Sequence, residues 1–99
     1  MINFKRFEAN FNAISRFGAL KGGGLTRLAF SKEDLEARNF LINLIEENGF
    51  KLKIDNVGNI FAVYDDGCDQ GEKPVCVGSH IDSVPNGGFY DGTLGVMAG

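Results

Sequence analysis

The stretch SKEDLEARNFLINLIEENGFKLKIDNVGNIFAVY, residues 31–64, changes its hydrophobic period halfway along. Up to Gly49, apolar residues recur at three- and four-residue steps. Ala37, Phe40, Leu41, Leu44 and Ile45 form one stripe of an amphipathic helix. Beyond Gly49 the step becomes two, with Leu52 and Ile54 alternating with lysines and NIFAVY following as a second strand. Helix followed by strands makes this a mixed chain of both element types, α/β in the broad sense. The helix is punctuated at both ends. Ser31 can cap it, with Asp34 three residues on as a weaker form of the capping box. Glu33, Asp34 and Glu36 suit the positive end of the helix dipole, and Gly49 is a natural stop. Asp55-Asn56-Val57-Gly58 between the two strands carries hairpin chemistry.

Working toward the N-terminus, Phe4, Phe7, Phe11 and Ile14 predict a first amphipathic helix over about residues 3–17. Gly18 and the run Gly22–Gly24 end it. No strand precedes that run and no Lys-Ser/Thr follows it, so it reads as a flexible connection rather than a phosphate cradle. Five of the ten basic residues lie in residues 1–27 with a single acid, against a net charge of −3 for all 99 residues. They are spaced along the helix and read as a solvated face, which argues against a nucleic-acid partner. No apolar run approaches the ~18 residues of a membrane span. The start has no signal-peptide pattern, so the expected location is cytoplasmic. Two cysteines, Cys68 and Cys76, are too few for a disulfide scaffold and lack CxxC spacing. Cys68 falls in a predicted loop, and Cys76 reads as a small core residue.

Working toward the C-terminus, PVCVGS predicts a buried third strand, and DGTLGVMAG predicts the start of a further helix. Between them lies the chemistry. His80, the single histidine, falls just past the strand, where open α/β sheets build their sites. Asp82 is two residues on, so in extended chain both side chains project to one side. A carboxylate there could hold the second imidazole nitrogen and fix the tautomer, as behind a metal-bound histidine. Asp91 stands at the predicted mouth of the last helix, where a carboxylate serves as a cap or offers an oxygen to a metal. Gly87 and Gly88 would let the loop turn tightly and bring Asp91 back to His80. Gly92 and Gly95 would admit a close neighbour. Taken singly, the histidine reads as structural and the Asp-Gly as a turn. Together, GSHIDSVPNGGFYDGTLGVMAG over residues 78–99 is too particular for those separate explanations.

That stretch resembles the first metal-binding motif of the hydantoinase/carbamoylase family of amidases, within the clan of dinuclear zinc exopeptidases. GGGLTRLAFSKEDLEAR is similar to the family's GG-x-x-R segment, and DNVGNIFA to its D-x-x-G-N hairpin, so the resemblance covers most of the chain. It implies a zinc-exopeptidase-like catalytic domain: two helices, a three-stranded portion of a mixed sheet, and the start of a further helix. It implies that residues 1–99 are the N-terminal portion of that domain. His80 would ligate one metal, Asp91 would bridge two, and Asp82 would be the catalytic acid behind His80. The implied cofactors are two divalent ions such as zinc, manganese, cobalt or nickel. The implied substrate is a small N-carbamoyl or ureido compound, and the implied assembly is a homodimer. The general base, the other ligands and the dimerisation domain would lie outside these residues. The alternatives are an aminoacylase or metallopeptidase of the same clan, or a non-catalytic α/β module. The eleven positions from His80 to Asp91 in FYDGTLGV favour the carbamoylase branch, because the others separate these ligands by a longer segment.

Overall fold

The computed structural model describes residues 2–65, 67, 71 and 73–99. Three helices and one hairpin follow in the order α1 (Phe4–Ile14), α2 (Lys32–Glu47), β1 (Lys51–Ile54), β2 (Ile60–Val63) and α3 (Thr93–Ala98). The chain divides into two compact units, residues 1–38 with 76–99, and residues 39–75. No helix among the described residues is long and apolar enough to cross a membrane.

In the first unit, α1 begins at Asn3, whose side chain accepts a hydrogen bond from the Arg6 amide at 3.1 Å. The phenylalanine stripe grades from exposed to buried along the helix. Phe4 remains exposed, whereas Phe11 and Ile14 enter the core with Leu25 and Ala37. The rings of Phe4, Phe7, Phe11 and Tyr90 follow one another at centroid distances of 6.3, 5.9 and 5.5 Å. Helices α1 and α3 pack together. The start of α2 realises its capping signal. The Asp34 amide donates to Ser31 Oγ at 3.2 Å, and the Asp34 carboxylate accepts from the Phe30 amide at 2.9 Å. The return bond lands one residue before the cap, where Phe30 takes a positive φ of 66°.

In the second unit, α2 ends as its glycine predicts. Gly49 has φ 76°, and the amides of Gly49 and Phe50 bond to the carbonyls of Glu46 and Ile45. Strands β1 and β2 pair antiparallel, from Lys51 with Val63 to Ile54 with Ile60. Asp55 closes the turn. Its carboxylate accepts from the amides of Val57 and Asn59 and from the Asn59 side chain at 2.8–3.1 Å. Those charged-acceptor bonds, first of all the one from the Asn59 side chain, hold the Asp55 pKa below the ordinary carboxylate value.

The α/β class and the order of elements agree with the sequence, with three differences. Two strands pair, not three, and residues 73–80 form no strand among the described residues. A buried strand needs neighbouring strands, and among the described residues only β1 and β2 pair, with each other. For the same reason Cys76 is exposed rather than a core residue, and Val75 and Val77 are 97% and 73% exposed. Cys68 lies outside the described residues. The third difference concerns one of the five basic residues in 1–27: Arg27 is fully buried, not solvated, whereas Lys5, Arg6, Arg16 and Lys21 are exposed.

Candidate functional site

Two loops build the site. The amide and carbonyl of Leu25 exchange hydrogen bonds with Gly87 at 2.9 and 2.8 Å respectively, and the Ser83 amide donates to the Arg27 carbonyl at 2.7 Å. The Arg27 amide donates to Ser83 Oγ, and the Asn86 amide to Thr26 Oγ1, both at 2.9 Å. This short ladder sets residues 83–87 against residues 25–27. It requires glycine at position 24, where φ is 75° and a Cβ would stand 2.7 Å from the Gly87 carbonyl oxygen. The tight return of the 83–91 loop therefore rests on Gly24 and Gly87. Gly88 meets nothing.

The return brings together the three side chains singled out in the sequence. Nδ1 of His80 is 3.0 Å from the Asp82 backbone carbonyl and 3.3 Å from its carboxylate. Nε2 is 3.7 Å from the Asp91 carboxylate, too long for a hydrogen bond. The spacing points to the carboxylate of Asp82 as the imidazole's support, but the backbone carbonyl of the same residue is the nearer acceptor. A carbonyl only accepts, so Nδ1 bears the proton in this contact. In the neutral ring Nε2 then presents a lone pair to an anionic carboxylate, an arrangement that a cation placed between them would turn from repulsive to attractive.

Asp91 is not the helix cap. The N-cap of α3 is Gly92, and no side chain caps the helix. Asp91 is 70% exposed, with its carboxylate directed to His80. Gly92 explains how the two approach. Its φ is 72°, and a Cβ there would stand 2.5 Å from both Nδ1 and the backbone oxygen of His80. Neither the space nor the backbone angle accepts a side chain.

These atoms fit part of a metal site. Two ligand atoms each about 2.0–2.2 Å from a tetrahedral zinc lie about 3.4 Å apart, close to the 3.7 Å between Nε2 and the Asp91 oxygen. They do not complete one, since no group of three or more His, Cys, Asp or Glu side chains could hold an ion among the described residues.

Arg27, the arginine of the GG-x-x-R segment, bonds toward both halves of the site. Its Nε donates to the Ile81 carbonyl at 2.7 Å, Nη1 to the carbonyls of Ile14 and Phe17 at 2.9 Å each, and Nη2 to Thr93 Oγ1 at 3.1 Å. Burial pushes its pKa below the ordinary value, opposed by the charges of Asp34 and Asp82. An arginine stays protonated through such a shift.

No protein-family model matches the chain. It is 39% identical over 99% of its length to an N-carbamoyl-L-amino-acid amidohydrolase of a Pseudomonas species. It is 38% identical over 86% of its length to an allantoate amidohydrolase of Bacillus subtilis. A solved structure of a hydantoinase/carbamoylase family amidase from Burkholderia ambifaria superposes on 98% of the chain with a TM-score of 0.91 at 37% identity. The chain spans 20–24% of the length of these three proteins.

Proposed function

We propose, from the premise that this is a hydantoinase/carbamoylase family sequence, that the complete protein is a metal-dependent amidohydrolase. It would cleave the C–N bond of N-carbamoyl amino acids or related ureido compounds. In this reading His80, through Nε2, would help hold one divalent cation, and the Asp91 carboxylate would be shared between two. Asp82 orients the imidazole through its carbonyl and adds negative charge behind it. Bound there, a cation pair would supply a nucleophilic water and polarise the scissile carbonyl. The chain's own contribution is orientation. The Nδ1 contact fixes which nitrogen is free, and Gly92 lets the carboxylate stand opposite it. Zinc, manganese, cobalt and nickel all suit a nitrogen and carboxylate donor set. A small-molecule substrate, a homodimer and a cytoplasmic location belong to the same proposal.

The observation that carries the reading is the 3.7 Å approach of Nε2 to a carboxylate that caps no helix. The names of the relatives favour the carbamoyl and ureido branch over an aminoacylase or peptidase. The test assays the complete protein on an N-carbamoyl amino acid, an N-acetyl amino acid and a dipeptide, with metal counted per chain. The N-carbamoyl compound is expected to turn over fastest. Asp91→Ala and His80→Ala are expected to lose metal and activity while keeping the melting temperature within a few degrees. Asp82→Asn is expected to weaken metal binding about 10–100-fold. Two metals and near-normal turnover in Asp91→Ala would reduce Asp91 to a turn residue and end the bridging role.

A further inference from the structure

We infer that Arg27 is a positioning residue whose guanidinium fixes the separation of His80 and Asp91. The inference rests on the metal-site reading above. Ile81, whose carbonyl receives Nε, sits between His80 and Asp82. Thr93, whose hydroxyl receives Nη2, is two residues past Asp91. The two contacts flank the two halves of the site from one planar, rigid group. Anchoring the end of α1 needs only Nη1, which holds the carbonyls of both Ile14 and Phe17. The other two arms of the fork reach the site's flanks.

Burial makes this placement firm. Arg27 and Thr93 are 0% and 2% exposed, so water cannot readily replace either partner, and a buried acceptor left unpaired is costly. The backbone of Arg27 adds two bonds to Ser83, one residue past Asp82. Main chain and side chain of one residue thus hold the His80–Ser83 segment from two directions. Lysine would keep the charge but not the fork, since its ammonium is a compact point charge with no fixed planar spread.

The test uses the complete protein. Arg27→Lys is compared with Ile45→Ala, which truncates a buried side chain in the unit of residues 39–75 and changes none of the residues in these loops. Three quantities are read: melting temperature, zinc affinity of the metal-free protein by chelator competition, and the Nε2–Asp91 separation in a crystal structure. Arg27→Lys is expected to lose about 10–100-fold in zinc affinity and to widen the separation beyond 3.7 Å. Ile45→Ala should lose stability alone. An unchanged separation, with affinity following stability as in Ile45→Ala, would overturn the inference and leave Arg27 a structural residue. If Arg27→Lys does not fold, Thr93→Val removes one acceptor and keeps the shape. It should weaken zinc binding several-fold, and unchanged affinity with an unchanged separation would overturn the inference equally. If the parent protein and His80→Ala bind zinc alike, the metal-site reading fails. The separation in Arg27→Lys then decides the positioning role by itself.

Discussion

The turn between β1 and β2 is closed by Asp55, and the loops at residues 24–27 and 80–93 are closed by Arg27. Both are charged side chains meeting several backbone groups, but at different ranges. Asp55 bonds to residues two and four positions away and lies at the surface. Arg27 reaches 10, 13, 54 and 66 positions and is buried. The first closure needs only its own few residues. The second exists only once α1, the 80–83 segment and α3 have come together, so its loss is shared by every element it joins. A site held by long-range contacts is open to change from positions far away in sequence.

Three measurements sharpen or break that contrast. The largest effect is expected from Gly92→Ala. The left-handed backbone angle alone costs on the order of 1–3 kcal/mol, and the new Cβ would press on the His80 ring. Melting temperature and zinc affinity should fall together, the latter more than about tenfold by displacement of a ligand. If Gly92→Ala binds zinc normally, the close packing of the two segments is not what sets the site. A middle effect is expected from Asp34→Ala, which removes the reciprocal cap of α2. Urea denaturation should register a loss of about 0.5–2 kcal/mol, the usual cost of a lost cap. A neutral result would place the cap's worth in Ser31 alone.

The smallest effect is expected from acid at the hairpin. The folded Asp55 pKa lies below its ordinary value of 3.8, so the folded state favours the ionised form. Its contribution is complete above that value and is lost as pH falls through the lower folded pKa. Amide exchange at Val57 and Asn59 should therefore quicken in strong acid more in the parent than in Asp55→Asn, which has no carboxylate to protonate. Equal acid sensitivity in the two would show that the carboxylate does not hold the turn.

The same contrast explains what could be read from the sequence. Helix α2, its cap at Ser31 and Asp34, its stop at Gly49 and the hairpin are local devices, each written within a few residues. His80, Asp82 and Asp91 were legible as a cluster because their spacing in one loop is itself local. The part played by Arg27 was not, since no periodicity links it to Ile81 or Thr93, and by composition it counted among the surface charges. The third strand failed for a related reason. The apolar run at residues 74–79 records a preference for burial, but a strand forms only where another offers its edge. For Asp91 the sequence allows a cap or a ligand, and only the structure places the cap position one residue later, at Gly92.

The aromatic rings supply each unit with its own optical reporter. The chain has no tryptophan and two tyrosines. Tyr64 meets Phe50 edge-on at 6.1 Å beside the hairpin, whereas Tyr90 stacks on Phe11 at 5.5 Å and adjoins Asp91 in sequence. In these 99 residues, replacing Tyr64 by phenylalanine leaves a single phenol emitter next to the carboxylate that faces His80. Its near-ultraviolet emission and circular dichroism then follow the ring column of α1 and the loop at Asp91 alone. Opening of the hairpin would be silent in that signal.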